Sequence, residues 1–126
     1  MRELAKRSVS ALAAVAIAGL LLAQLGSART EEQTAATVPT DQVEGGEFFF
    51  RFATKSIAKP GKVTFAFMNM GQVAHDLRIN GKQTPLISRG RTAKLTVTFT
   101  KKGKYAYLCT VPGHAEAGMK GVFTVR

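Results

Sequence analysis

Short stretches in which apolar and polar residues alternate run through the chain from residue 47 onward. The alternation is clearest at residues 62–69 and 92–99, and in the first of these Val63, Phe65 and Phe67 share one face. A repeat of two residues places every second side chain on the same side of a β-strand, which is the pattern of a strand buried on one face. Both stretches are therefore predicted to be strands that cover a common core.

Shorter apolar stretches predict the rest of the fold, at residues 47–52, 75–79, 105–109 and 121–125. Turn signals stand between strands, at Pro60-Gly61 and Asn80-Gly81. This part of the sequence shows no helical periodicity of useful length and no internal repeat. Six or seven short strands with glycine-marked turns predict an all-β domain, an antiparallel Greek-key β-sandwich or small barrel.

The first 28 residues have the composition of an export signal. Three basic residues at the start outweigh Glu3, residues 8–28 carry no charge, and small residues precede a cleavage point after Ala28. The uncharged stretch is also close to the roughly 20 residues that span a bilayer as a helix, so an uncleaved membrane anchor is the alternative. Because the basic start stays in the cytoplasm, we expect the rest of the chain at the periplasmic or extracellular face of the cytoplasmic membrane.

Composition changes again at residue 29. Residues 29–45 are rich in Thr, Glu and Gln and show no apolar periodicity, so we interpret them as a flexible linker. The folded domain is then expected to occupy residues 46–126. A domain of this size has a thin core, to which a bound metal would add stability.

Charge is the most unusual feature of the composition. The 126 residues contain 18 Lys and Arg against 8 Asp and Glu, and the predicted domain has 14 basic and three acidic residues, a formal charge of +11. An exported chain meets little nucleic acid, and no basic stripe interleaved with aromatic residues is visible, so we expect no nucleic-acid binding. We expect an acidic protein partner or an anionic membrane surface. Solvated charges that merely keep a monomeric domain soluble are the alternative.

The only Cys and the only two His of the sequence join a Met in one pattern, His75, then Cys109, His114 and Met119 spaced as C-x4-H-x4-M. A single Cys excludes an intramolecular disulfide, and without a CxxC pair there is no structural zinc site of that type. A thiolate, two imidazoles and a weak thioether are the ligands of a type 1 blue copper centre, whereas zinc prefers a fourth strong ligand. Glycines and Pro112 allow the chain to turn back between Cys109 and Met119, so one copper ion per chain is expected.

Four segments around these positions carry a family resemblance: Phe67-Met68-Asn69-Met70-Gly71, Ala74-His75-Asp76-Leu77, residues 103–114 (GKYAYLCTVPGH) and Gly118-Met119-Lys120-Gly121. They resemble the cupredoxin family over about residues 47–126, and the C-x4-H-x4-M spacing is similar to that of auracyanin-like bacterial cupredoxins. The resemblance implies that His75, Cys109 and His114 are the strong copper ligands. It also implies that Met119 is the weak axial ligand and that Tyr105 is a structural residue at the corner before the Cys strand.

The chain departs from larger members of that family at residues 80–90, where they have longer connections, and it lacks the disulfide of phytocyanins and azurins. Partner recognition built on those insertions does not carry over. Asp76, beside a ligand, is either a group that supports the metal or a solvated edge residue. Met68 and Met70 suggest a copper relay, but alternate residues on a strand share a face, and core packing is the expectation.

A site that holds its ligands in place and leaves no position open for a substrate suits a one-electron carrier rather than an enzyme. Copper nitrite reductases and multicopper oxidases need further histidines, and this sequence has none to spare. In the cupredoxin family the second His, here His114, lies in an apolar patch, which Val111, Pro112 and Ala115 would form. We therefore expect electron transfer with an acidic redox partner. Copper storage, delivery or sensing is one alternative, and a structural or adhesion domain with a vestigial site is another.

Overall fold

The computed structural model describes residues 35–126, and nine strands form all of the regular secondary structure in that part of the chain. In chain order the strands are β1 (Thr40–Gly46), β2 (Phe49–Phe52), β3 (Ser56–Ile57), β4 (Gly61–Asn69), β5 (Arg78–Ile79), β6 (Lys82–Gln83), β7 (Thr92–Phe99), β8 (Gly103–Leu108) and β9 (Lys120–Val125). Between residues 35 and 126 there is no helix of the length and apolar character needed to cross a membrane.

The strands form two sheets, one in the order β2-β1-β4-β7 and the other in the order β3-β9-β8-β5-β6. The chain leaves the first sheet after β2 and returns to it at β4, so β4 runs parallel to β1. β3 and β9 are also parallel, and the other pairs are antiparallel. The predicted β-sandwich is confirmed, with two parallel pairs among its antiparallel ones.

Large apolar side chains from both sheets fill the space between them. Phe65 of β4, Phe99 of β7 and Phe123 of β9 are at most 1% exposed. The rings of Phe99 and Phe123 stack with centroids 5.4 Å apart, and Phe65 meets Phe123 edge-on at 5.3 Å. Contacts of this kind across the sheets add to the stability that burial alone provides.

Strands are present at all six places predicted from alternation and from shorter apolar stretches. β7 has the predicted bounds, β4 begins one residue early, and the three apolar residues on the inner face of β4 are at most 2% exposed. The largest difference lies at residues 75–79, where only Arg78–Ile79 form a strand. His75 instead makes an isolated bridge with Ile87, whose carbonyl accepts a hydrogen bond from the His75 backbone at 3.2 Å.

The linker predicted over residues 29–45 extends too far, because β1 already begins at Thr40. β1 has the sequence TDQVEGG, in which only Thr40 and Val43 have a high strand propensity, so no alternating apolar pattern marks it. Neighbouring strands on both sides hold this segment, since β1 pairs with β2 and with β4. Residues 35–39 precede β1 without regular structure, and the predicted signal or anchor at residues 1–28 lies outside the described residues.

Two local features expected from the sequence are present. Asn80 and Gly81 have φ angles of 47° and 72° and connect β5 to β6, as in two-residue hairpin turns that need left-handed backbone. Tyr105 donates its hydroxyl hydrogen to the Lys101 carbonyl at 2.6 Å, which ties β8 to the turn before it. The same arrangement closes the tyrosine corner of other β-sandwiches, and it supports the structural role expected of Tyr105.

Candidate metal centre

Three of the predicted ligands meet at one end of the sandwich. Cys109 follows β8, His114 lies in the loop before β9 and His75 precedes β5, and one donor atom from each lies within 4.8 Å of the others. Cys109 Sγ is 3.9 Å from His75 Nδ1 and 3.6 Å from His114 Nδ1. The two Nδ1 atoms are 3.1 Å apart. Cys109 and His75 are buried and His114 is half-buried, so the cluster reaches the surface through His114.

The loop between β8 and β9 is closed by its own backbone. Ala117 N–H donates to the Gly113 carbonyl at 3.1 Å, and Met119 N–H donates to the His114 carbonyl at 3.0 Å. Cys109 N–H donates to the Met119 carbonyl at 3.1 Å, which joins the two ends of the loop. Gly113 has a φ of 84°, a conformation that costs glycine little. These bonds keep Cys109 and His114 on the same side of the loop.

Met119, the predicted axial ligand, is completely buried at the same end of the sandwich. Its Cε lies beside Gly45 of β1, and a Cβ at that glycine would come within 3.1 Å of it. The same Cβ would come within 2.7 Å of the Phe67 ring. Gly45 therefore leaves the space that the methionine side chain occupies against the core.

Glu47, in the turn between β1 and β2, is a residue of the site that the sequence pattern did not reveal. Its Oε1 lies 2.9 Å from His75 Nε2. A carboxylate can only accept, so the proton of this imidazole is on Nε2, and the Nδ1 lone pair is directed at the other two donors. Hydrogen bonds of this type orient ligand histidines in metal sites.

The carboxylate of Glu47 is itself held by backbone. Val73 N–H donates to Oε1 at 2.9 Å, and Gln72 N–H lies 2.8 and 3.0 Å from the two oxygens. These backbone donors and the His75 bond lower the pKa of Glu47 to about 2. Gly71 makes the approach possible, because a Cβ there would lie 2.6 and 2.7 Å from the carboxylate oxygens. No periodicity or spacing in the sequence links position 47 to positions 71–75.

Asp76 supports the other side of the cluster. It is fully buried, and it accepts hydrogen bonds from the Thr110 backbone at 2.7 Å, the Thr110 hydroxyl and Gln83 Nε2 at 2.8 Å. The alternative that Asp76 is a solvated edge residue is therefore wrong. Its carboxylate joins the His75 segment to the residue that follows Cys109.

Burial raises the pKa of the Cys109 thiol, and the charge of Asp76 adds to the increase. A buried thiolate is costly unless a cation compensates it. Metal binding at Cys109 therefore displaces the thiol proton, and the metal supplies the positive charge that the low-dielectric surroundings lack.

The half-buried ring of His114 is covered on one side by Phe48. The two ring centroids are 5.0 Å apart with the planes at 62°, and Phe48 is 41% exposed. Val111 and Ala115 are half-buried and Pro112 is exposed, as expected for an apolar rim around this histidine. Phe48 extends the rim with a residue that the sequence did not point to, because it belongs to the β1–β2 turn.

Met68 and Met70 are not core residues, which corrects the expectation from the sequence. Met68 is 40% exposed and Met70 is 52% exposed. Phe67 and Asn69 are fully buried, so Met68 between them lies on the outer face of the first sheet, and Met70 directly follows the end of β4. The expectation that both pack in the core is therefore wrong.

The donor set fits a single copper ion. Metal bonds of about 2.0 to 2.3 Å to nitrogen and sulfur separate neighbouring ligands by about 3 to 4 Å, the range of the three donor distances here. One thiolate, two imidazoles and a buried thioether nearby are softer than the oxygen ligands that calcium and magnesium prefer. Two His and one Cys with a weak Met are typical of blue copper sites.

A β-sandwich with this donor cluster at one end defines a copper-binding protein of the cupredoxin class. The chain belongs to the plastocyanin/azurin family of copper binding proteins, whose family model matches residues 42–126. Copper is thus the metal of this site.

Two curated relatives align with the chain over short segments. The Copper-resistant cuproprotein CopI of Pseudomonas aeruginosa is 46% identical over 41 residues, which are 32% of this chain and 23% of that protein. Auracyanin-B of Chloroflexus aurantiacus is 43% identical over 42 residues, 33% of this chain and 18% of that protein. The chain therefore aligns with less than a quarter of the length of either relative.

A solved structure extends the likeness to the whole fold. The dithionite-reduced auracyanin of Roseiflexus castenholzii matches with a TM-score of 0.60 at 22% identity. The match covers 71% of this chain and 98% of that one. At this identity the likeness shows that the two chains share the cupredoxin fold.

Proposed function

We propose that this protein carries single electrons between redox partners outside the cytoplasm, with His75, Cys109 and His114 as strong copper ligands and Met119 as the weak axial ligand. The convergence of three donor atoms within 4.8 Å is the observation that supports this proposal most directly. Bound copper supplies a centre that gains and loses one electron. The protein supplies the ligands, their orientation and the surface through which the electron passes.

Each strong ligand is restrained by a contact other than the metal. Glu47 holds His75 through Nε2, and the Met119 carbonyl holds the backbone of Cys109. The Phe48 ring packs edge-on against His114. Restrained ligands change position little when the charge of the centre changes, which favours fast electron transfer. His114 is the half-buried member of the set, so electrons enter and leave through its ring.

The same observations support a carrier over an enzyme. A catalytic metal site keeps a coordination position open for substrate, whereas here three donors converge on one point and the buried Met119 would supply the fourth. The whole sequence contains two histidines, and both belong to this cluster, so none remains for a second copper centre. An export signal or anchor at residues 1–28 places the domain outside the cytoplasm in this proposal, and an acidic redox protein is the partner that its charge favours.

Visible absorption of the full chain with one equivalent of cupric ion tests the proposal. We expect an intense thiolate-to-copper band that ascorbate removes and an oxidant restores through repeated cycles. Cys109→Ser should abolish the band, and Met70→Leu, which removes an exposed thioether, is the matched control and should leave it unchanged. A copper complex without this band would contradict the proposal that the protein is an electron carrier.

Copper storage, delivery or sensing is the second candidate function. It is favoured by the likeness to a protein named for copper resistance and by the exposed thioethers of Met68 and Met70, which are soft ligands suited to cuprous copper. The two functions differ in how readily copper leaves. An electron carrier should retain its copper through redox cycles in the presence of a cuprous chelator, whereas a delivery protein should lose it after the first reduction.

A further inference from the structure

Six exposed lysines lie at the end of the sandwich opposite to the copper ligands. β4 begins and β7 ends there, since Gly61 pairs with Phe99, and β8 begins and β9 ends there, since Gly103 pairs with Val125. Cys109 follows the other end of β8. We call the lysine end the lysine pole, and its lysines are Lys55, Lys59, Lys62, Lys101, Lys102 and Lys104.

No exposed carboxylate side chain of residues 35–126 neutralises the lysine pole. Asp41 is the acidic residue nearest to it along β1, and it is buried with both oxygens accepting hydrogen bonds from Thr54. Glu44 pairs with Arg51 further along the sheet, and the remaining acidic residues of this part of the chain lie toward the copper end. The lysine pole therefore carries six positive side chains that no exposed carboxylate side chain of residues 35–126 offsets.

An apolar groove of about 500 Å³ lies at this pole, and two of the six lysines line it. Val38 and Ile57 line it, and Lys59 and Lys62 stand at its edge. Residues 36–39 form one of its walls, so the chain enters the domain at the lysine pole. Only residues 29–35 separate this wall from the uncharged segment at residues 8–28 in the sequence.

We propose that the lysine pole binds the surface of an anionic phospholipid bilayer. Lysines near such a surface are attracted by its negative potential, and their long aliphatic stems extend over apolar surface while the charged groups remain in water. The apolar groove that Lys59 and Lys62 line suits contact with the upper part of the acyl region. The proposal does not depend on whether the copper site transfers electrons, because none of its residues belongs to that site.

Binding at this pole would set the direction of the copper site. β4 runs from the pole toward the copper end, and nine residues at about 3.3 Å each make this distance about 30 Å. The half-buried ring of His114 would then face away from the bilayer, where a redox partner can reach it. An acidic partner at the copper end and an anionic membrane at the lysine pole would use different surfaces.

Vesicle flotation with the full chain tests the proposal. Vesicles of equal parts phosphatidylglycerol and phosphatidylcholine are compared with phosphatidylcholine alone, and each variant is compared with the wild-type chain, because all of them share the basic and apolar residues 1–28. The test variant is K101Q/K102Q/K104Q. The matched control K82Q/R91Q/K94Q removes the same charge from exposed positions outside the pole. Thermal unfolding of both variants establishes that they remain folded.

We expect the wild-type chain to prefer the anionic vesicles and to lose this preference at about 500 mM salt, where exposed charges are screened. Each lysine close to the surface contributes about fivefold, so the pole variant should bind the anionic vesicles about 100-fold more weakly. The control should change by no more than a few-fold. Equal losses in the two variants would show an effect of net charge alone and would overturn the proposal, as would the same binding to both kinds of vesicle.

Discussion

Glu47 Oε1 lies 2.9 Å from His75 Nε2, and the opposite nitrogen of the same ring faces the Cys109 sulfur. The carboxylate and the cluster are thus joined through one imidazole. A negative charge in this position makes the ligand more basic and favours the more highly charged state of a bound metal. Turning the ring away would break both contacts at once, so Glu47 also sets the orientation of His75.

Replacing Glu47 by Gln should raise the reduction potential of the copper site. The amide keeps a hydrogen-bond acceptor for His75 but removes the negative charge that stabilises cupric over cuprous copper. We expect about tenfold weaker cupric binding relative to cuprous binding, which corresponds to about 60 mV for one electron. Redox titration of the visible band measures the shift. The substitution Glu44→Gln, on an exposed carboxylate of the same sheet, is the control and should leave the potential close to that of the wild type.

Gly71→Ala should have the same effect on the potential without removing the carboxylate. The new methyl group would overlap the Glu47 oxygens, and because these are at the end of a flexible side chain, the carboxylate moves away from His75. We expect only a small change in the free energy of unfolding. The double variant G71A/E47Q should show little more than either single change, since both remove one interaction. Fully additive shifts would mean that Gly71 acts on the site by another route.

Sequence pattern predicted six of the strands and grouped Cys109, His114 and Met119 as candidate ligands because these features rest on local signals, and His75 stood out as the only other histidine. Alternation over eight residues marks β7, and the spacing of Cys109, His114 and Met119 is set by one short loop. The sequence did not reveal Glu47 because its contacts lie 25 to 28 residues away along the chain and depend on how the two sheets pack together. The sequence did not predict β1 because the neighbouring strands β2 and β4, rather than its own residues, hold it in place.

The apolar–polar pattern was also insufficient to predict which side chains lie on the outer face of the first sheet. Met68 lies on a strand whose buried positions include Ala66 as well as Phe65 and Phe67, so alternation does not tell which face is covered at each point. An apolar side chain is weak evidence of burial by itself, because much of any protein surface is apolar. The concentration of lysines at one end likewise depends on topology, since residues 55–62 and 101–104 meet only after folding.

Asp76→Ala should destabilise the metal-free protein by about 2 to 4 kcal/mol, because it leaves the Thr110 backbone N–H without its buried acceptor. Asp76→Asn keeps one acceptor oxygen and should cost less, about 1 kcal/mol. Urea unfolding of the apo protein measures both. Glu116→Ala, at an exposed position of the copper-site loop, is the control and should change stability by less than about 0.5 kcal/mol. Equal stability of the Ala variant and the wild type would contradict the supporting role of Asp76.

Phe48→Ala should slow electron exchange between two copies of the protein while leaving the copper ligands in place. Its ring covers one side of His114 and is 41% exposed, so it offers apolar area to any surface that docks on the proposed electron route. Losing this area should reduce the exchange rate by about tenfold, since a phenyl group contributes one to a few kcal/mol when fully buried. Line broadening in mixtures of oxidised and reduced protein measures the rate.

Phe49→Ala provides a close comparison, because Phe49 is 38% exposed and its ring packs by Arg51, 5.6 Å from the guanidinium carbon. If both substitutions slow exchange equally, docking uses the wider apolar surface of the β1–β2 turn; if only Phe48→Ala does, the electron passes where Phe48 meets His114.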